Sequence, residues 1–199
     1  MSQHLVLHGV AVKKHADARS LVEFTGLPEA TVTKLLAEGV KSGRIVEAQG
    51  KFLLSPLARV ALDGQYGSTY ASLRASASFM SAYEAFERIN VQLKALITDW
   101  QTLEVGGARV ANDHSDKDYD MRVIDRLGEL HGRAEGVLAQ LAREVPRLEY
   151  YGRNLLGAIE RAEDGGLEWV SDARLPSYHT LWFELHEDLL RLVGRQRHE

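Results

Sequence analysis

From 69 to 103 the chain runs without a single proline or glycine. Those two residues are the strongest local breakers of regular structure, so their absence over such a length predicts one long helix. Within it Phe79, Tyr83, Phe86, Asn90, Leu93, Ile97 and Trp100 recur at alternating spacings of four and three, a seven-residue repeat. At 1.5 Å per residue the helix would span on the order of 50 Å, wider than a small domain. Much of its apolar stripe therefore needs cover, from later helices or from a second chain. We expect these seven residues, with Trp182 and Leu189 of the final helix, to form an apolar dimer interface. Asn90 either pins the register of that seam or sits at its edge in water.

The rest of the second part is also helical in pattern. The stretch "EVGGARVANDHSDKD" has the composition of a loop. Helices are predicted from about 118 to 145, from 146 to 164, and from near 176 to 193, with "DGGLEWVSDARLPS" irregular between the last two. Neither an internal repeat nor a low-complexity tract interrupts this order.

The first part reads differently. "HLVLHGVAVKK" is a plausible helix, and "ADARSLVEFTG" a second, with Ala18, Leu21, Val22 and Phe24 on one face and Gly26 closing it. Pro28 then stands where a new helix begins. In that helix Ala30, Leu35 or Leu36, and Val40 are expected to face inward, leaving Glu29, Thr31, Thr33 and Lys34 outside. Ile45-Val46 and Phe52-Leu53-Leu54 are short strand candidates around a Gln49-Gly50 turn. Ser55-Pro56 starts a further helix that is expected to close near Gly64.

The stretch "LVEFTGLPEATVTKLLAEGVKSGRIV" followed by "GKFLLSPLARVAL" resembles the winged helix-turn-helix of bacterial transcriptional regulators, in the style of the MarR, PadR and AphA-like groups. The likeness covers about the first third. It departs from the common pattern in a short wing and in lacking an arginine near the start of the reading helix. What it implies is a mainly α protein: residues 1–65 a winged helix-turn-helix that binds DNA, with a short β-hairpin, and residues 66–199 a helical dimerisation or regulatory domain.

Charge bears on that expectation. The chain carries a net charge of -4, too acidic for its whole surface to clamp nucleic acid. The balance is uneven: the first 65 residues hold eight basic against six acidic side chains, the remainder sixteen against twenty-two. Few lysines imply weak phosphate attraction per subunit. Base reading needs little charge, because threonine hydroxyls and methyls and helix N-terminal amides can all contact DNA. The expected contacts are Thr31, Thr33 and Lys34 in the major groove, Lys41 and Arg44 beside them, and Gln49 with Lys51 on the wing. A dimer would place two such heads about one DNA turn apart.

Other chemistries find less support. The absence of cysteine excludes disulfides, thiolate catalysis and cysteine-ligated zinc, and fits a reducing, cytoplasmic setting. Asp116, Asp118 and Asp120 begin like a calcium loop, but Met121 stands where that loop needs glycine and Leu127 where it needs glutamate. A solvated loop, with Asp116 or Asp118 capping the next helix, is the plainer reading. His179 and His186 share a helix face without a partner at metal-pair spacing. No nucleophile pattern or phosphate-binding glycine loop is present, so neither an enzyme nor a cofactor or metal is expected.

The expected function is therefore dimeric regulation of transcription by binding double-stranded DNA, with an unknown small-molecule or protein effector possible and no membrane involved. The alternative is an adaptor that uses its winged module and acidic helical domain to dock protein.

Overall fold

The computed structural model describes residues 2–195. It is mainly helical, with small antiparallel hairpins, and divides into two compact units. One holds the described residues through Ser76 together with those from His186 onward; the other is Ala77–Leu185. The division differs from the sequence-based boundary at 65/66 in two ways. It falls later along the chain, and the end of the last helix belongs with the first unit. Among the described residues no helix is long and apolar enough to cross a membrane.

The first unit opens with α1 (Ser2–Lys13), then α2 (Ala18–Thr25) and α3 (Glu29–Lys41). Asp17 starts α2 through a capping box: its side chain accepts the Ser20 N–H while the Ser20 hydroxyl accepts the Asp17 N–H. Gly26, at φ 66°, ends the helix in the left-handed conformation that costs glycine little. Strands β1 (Ile45–Ala48) and β2 (Lys51–Leu54) pair antiparallel, Ile45 opposite Leu54 and Ala48 opposite Lys51. Gln49 and Gly50 join them with positive φ at both positions, the two-residue turn whose twist suits a hairpin. A single bridge adds Ala16, from the α1–α2 connection, to β2 at Phe52.

Helix α4 (Pro56–Thr69) begins on Ser55, which accepts the Ala58 N–H. It does not close near Gly64 as expected. Gly64 and Gly67 both lie inside the helix on exposed positions, and Leu62 and Tyr66 carry its buried face past them. The core of this part is built from Val6, Val10, Leu21, Val32, Leu36, Ile45, Leu54, Leu62 and Tyr66, among others.

The face that α3 buries also differs from expectation. Val32, Leu36 and Gly39 point inward, whereas Ala30 is exposed and Val40 is 38% exposed. Gly39 sets this rotation: a Cβ there would come within 2.5 Å of Ile45 Cδ1, so the helix lies close on β1 where it has no side chain.

The long predicted helix is broken. A short α5 (Ala71–Ala75) follows α4, and Ser76 is extended before α6 (Ala77–Gln101). The second unit is built on α6 and α7 (Lys117–Glu144), joined by a hairpin of β3 (Thr102–Val105) and β4 (Ala108–Ala111) with Gly106 and Gly107 at its turn. That hairpin replaces the expected loop. The two helices run antiparallel. Tyr119 donates to the Asp99 carbonyl, Arg126 to the Asp99 carboxylate, Arg133 to Gln92 and Gln140 to Ser78, so one number falls as the other rises. Helix α8 (Glu149–Glu163) packs on α7, α9 (Glu168–Ser171) on α8, and α10 (Tyr178–Val193) is the last helix.

This arrangement buries the heptad stripe within one chain. Phe79, Tyr83, Phe86, Asn90, Leu93, Ile97 and Trp100 are between 0% and 8% exposed, and Trp182 and Leu189 are buried as well. The side chains expected at a dimer interface are therefore covered without a second copy. The physical reason lies in α7. Its 28 residues can line the 25 of α6 from end to end, with Val123, Ile124, Leu127, Leu130, Ala134, Leu138 and Leu141 buried along it. Trp182 closes the stripe from α10, stacking on Phe86 at 4.8 Å and donating its indole N–H to Asn90 Oδ1 at 3.1 Å. Asn90 thus serves as a hydrogen-bond acceptor inside the unit.

In the first unit the end of α10 is tied to α1. His8 and Asp188 are both wholly buried, with His8 Nε2 donating to Asp188 Oδ1 at 2.8 Å. The Tyr66 hydroxyl lies 2.8 Å from His8 Nδ1. Burial holds the Tyr66 pKa well above the ordinary phenol value, so the hydroxyl keeps its proton. Arg74 donates to the carbonyls of Leu192 and Arg191, satisfying the helix's otherwise open C-terminal end. Removing one member of a buried hydrogen-bonded pair strands the other. We expect Asp188→Ala to lower unfolding free energy by about 3–5 kcal/mol, read from urea unfolding followed by circular dichroism. A loss under about 1 kcal/mol would contradict this role.

Candidate nucleic-acid interface

The outer surface of α3 follows from the way its inner face is fixed. With Val32, Leu36 and Gly39 turned inward, Thr33, Lys34, Ala37 and Lys41 are left on the solvent side. Thr31 is only half-buried, beside Val32, and is less exposed than the sequence suggested. Arg44, in the connection to β1, is exposed; so is Gln49, at the hairpin tip with φ 52°. Thr33, Lys34 and Lys41 thus share one side of a helix, while Gln49 and Lys51 belong to the neighbouring hairpin.

The lysines differ in their freedom. Lys51 Nζ donates to Asp17 Oδ2 at 2.7 Å, linking β2 to the first turn of α2. Lys34 Nζ stands 4.0 Å from Glu38 Oε1, one helical turn away, with both side chains at least half exposed. A pair of that kind is worth only a few tenths of a kcal/mol, about 0.3–0.5, and yields readily to a competing anion. Among the described residues neither Lys41 nor Arg44 has a side-chain hydrogen bond or ion pair. Lys41, Arg44 and the weakly held Lys34 are the cations most available to a phosphate.

Asp17 was not apparent as part of this surface. Its local signal, Asp-x-x-Ser ahead of a helix, announces a cap, but its partner Lys51 is 34 residues away. The Lys51 ammonium, together with the Ser20 N–H, holds the Asp17 carboxyl down at about 2, below the ordinary 3.8. Because the folded pKa is depressed, the stability it contributes is present above the unfolded pKa near 3.8 and is lost as pH falls toward 2. The pair is nearly half exposed, so screening keeps that contribution modest.

Elsewhere the acidic segment before α7 is exposed at Asp113, Ser115 and Asp116, as a solvated loop is, and the buried acid is Asp120 inside the helix. Asp116, one of the two caps the sequence offered, starts α7 by accepting the Tyr119 N–H at 2.9 Å. Asp120 is 1% exposed, accepts from Asn112 Nδ2 at 2.9 Å and lies 3.0 Å from His114 Nδ1. Asn112 also donates to the Trp100 carbonyl, so the cluster fastens the base of the β3–β4 hairpin to the end of α6. Among the described residues no group of three or more histidine, aspartate or glutamate side chains is placed to hold a metal ion. His131 is a further buried polar residue that was not singled out. Its neighbours Leu127, Leu130, Ala134 and Leu138 could have revealed that it lies on an inward stripe.

No family model, curated protein or solved structure matches this chain. The Lys51–Asp17 link can be checked directly. In Lys51→Ala the Asp17 carboxyl should titrate above its native value of about 2, while the remaining Ser20 N–H keeps it below 3.8. Carboxyl-detected NMR titration reads both midpoints, and an unchanged midpoint would remove Lys51 as the cause.

Proposed function

We propose that the chain is a DNA-binding regulator that presents α3 to the major groove of duplex DNA and the β1–β2 hairpin to the adjoining backbone. One observation carries the reading. The order helix, bridge, helix, turn, helix, hairpin, helix leaves on α3 a solvent face with two lysines and a threonine but few large apolar side chains. That order supports the resemblance to a winged helix-turn-helix, and the Ala16–Phe52 bridge ties the α1–α2 connection to the hairpin. Thr33 is available for base edges, Lys34 and Lys41 for phosphates or guanine, and Arg44, Gln49 and Lys51 for the flanking backbone.

So little positive charge per chain favours action in pairs. Since the 79–100 stripe is buried, two reading heads would have to be held together by other surfaces. Cytoplasmic residence and the regulatory role belong to the same proposal.

A second reading has an observation of its own. Lys51 is neutralised by Asp17 and Lys34 sits near Glu38, which removes part of the charge that a phosphate would seek. A module with a muted basic face suits docking of a protein partner, making the chain an adaptor.

Salt dependence separates the two. If α3 grips DNA, affinity for a random-sequence duplex should fall linearly in a plot of log K against log salt. Lys34→Ala and Lys41→Ala should each reduce the slope by about 0.9. Fluorescence anisotropy with a labelled duplex reads this. No binding at low salt would reject DNA and leave the adaptor reading standing, and binding whose slope neither substitution moves would reject α3 as the contact.

A further inference from the structure

The first unit contains a groove of about 470 Å³ bounded by the start of α1, the α3–β1 connection and α4. That volume lies within the range of sites that hold small organic molecules. Leu7, Ala58, Ala61 and Leu62 give the groove an apolar side. No aspartate or glutamate lines it.

Its polar side has hydrogen bonds left to give. Arg44 lines the groove, and its exposed side chain has no hydrogen bond or ion pair among the described residues. Ser55 Oγ already accepts the Ala58 N–H at 3.3 Å, which leaves its hydroxyl proton to donate. Gln65 Oε1 accepts from His4 Nδ1 at 3.3 Å, which leaves the amide NH2. Acceptors on the same walls are largely spoken for. The Gly39 carbonyl takes the Ser42 hydroxyl at 3.1 Å, and the Arg44 carbonyl takes the Ser55 N–H at 2.9 Å. The unspent capacity is therefore weighted to donors and carries a positive charge. Such a lining favours an acceptor-rich anion and discriminates against a cation.

We infer that this groove binds a small organic anion, a carboxylate with a short apolar body, and that Arg44 anchors the carboxylate while the body lies along Leu7, Ala61 and Leu62. The apolar side separates this ligand from a bare phosphate, which would gain nothing from it. Arg44 also belongs to the surface proposed for duplex DNA. Binding is therefore measured without DNA, so that either claim can fail while the other stands.

Hexanoate, its uncharged counterpart hexanamide and inorganic phosphate are the probes. Each is titrated into the full chain at millimolar concentration and followed by NMR of backbone amides and leucine methyls. Two variants accompany the native chain. Arg44→Gln removes the charge from an exposed side chain, and Ala61→Leu narrows the groove at an exposed helical position where leucine is well tolerated, so both should fold. The expected results are saturable shifts with hexanoate at Leu7, Leu62 and the 42–44 connection, and binding of hexanamide and of phosphate weaker by about tenfold or more. Arg44→Gln should weaken hexanoate by about the same factor and leave hexanamide little changed, whereas Ala61→Leu should weaken both. Absence of saturable shifts with hexanoate overturns the inference. So does hexanamide binding as well as hexanoate, or hexanoate binding unaffected by Arg44→Gln. Phosphate binding as tightly as hexanoate would reduce the site to a contact for bare charge and overturn it too.

Discussion

The hydrogen bond between His8 and Asp188 joins residues 180 positions apart, and both partners are entirely shielded from water. Polar groups are removed from water at a cost that only a well-made partner offsets. This pair meets that condition through its surroundings. The Tyr66 hydroxyl occupies the second imidazole nitrogen, and Arg191 lies against Tyr66 while pairing with Asp63 and Glu187. The consequence is architectural. The unit carrying the proposed reading helix is not formed by the first third of the chain alone, because it includes the final turns of the last helix.

The same last helix contributes its beginning to the other unit, where Trp182 seals the α6 stripe over Phe86 and Asn90. One continuous element therefore supplies buried side chains to both compact parts. The heptad pattern that suggests a seam between two chains is satisfied by α7 of the same chain. Periodicity specifies that a face must be covered and says nothing about whose side chains cover it. Only the length and direction of α7 decide that, and they depend on a hairpin at 102–111 that buries no alternating face, half-buried at Thr102 and Leu103 and exposed elsewhere.

Local chemistry was readable where it was self-contained. The capping residues Ser55 and Asp116, the helix end at Gly26 and the turn at Gln49-Gly50 each act within a few residues, and each is found where the sequence places it. The second hairpin carried a signal too, since Val105-Gly106-Gly107-Ala108 is a two-glycine turn, but loop-like composition masked it. The inward face of α3 was misjudged because one of its key positions, Gly39, has no side chain for a hydrophobic pattern to register. Of the candidate interface, Thr33, Lys34, Lys41, Arg44 and Gln49 are exposed as expected, Thr31 is half-buried, and Lys51 is engaged with Asp17. That last contact and the His8–Asp188 tie could not be read at all, because partners so distant in sequence leave no local mark.

The proposed function puts duplex DNA against α3 and the adjoining hairpin. Backbone amide NMR shifts during titration with a short duplex test this residue by residue. The largest changes should fall at Thr33, Lys34, Lys41, Arg44 and Gln49, with the second unit little affected. Shifts centred on α6–α8, or a spectrum unchanged by saturating duplex, would contradict it.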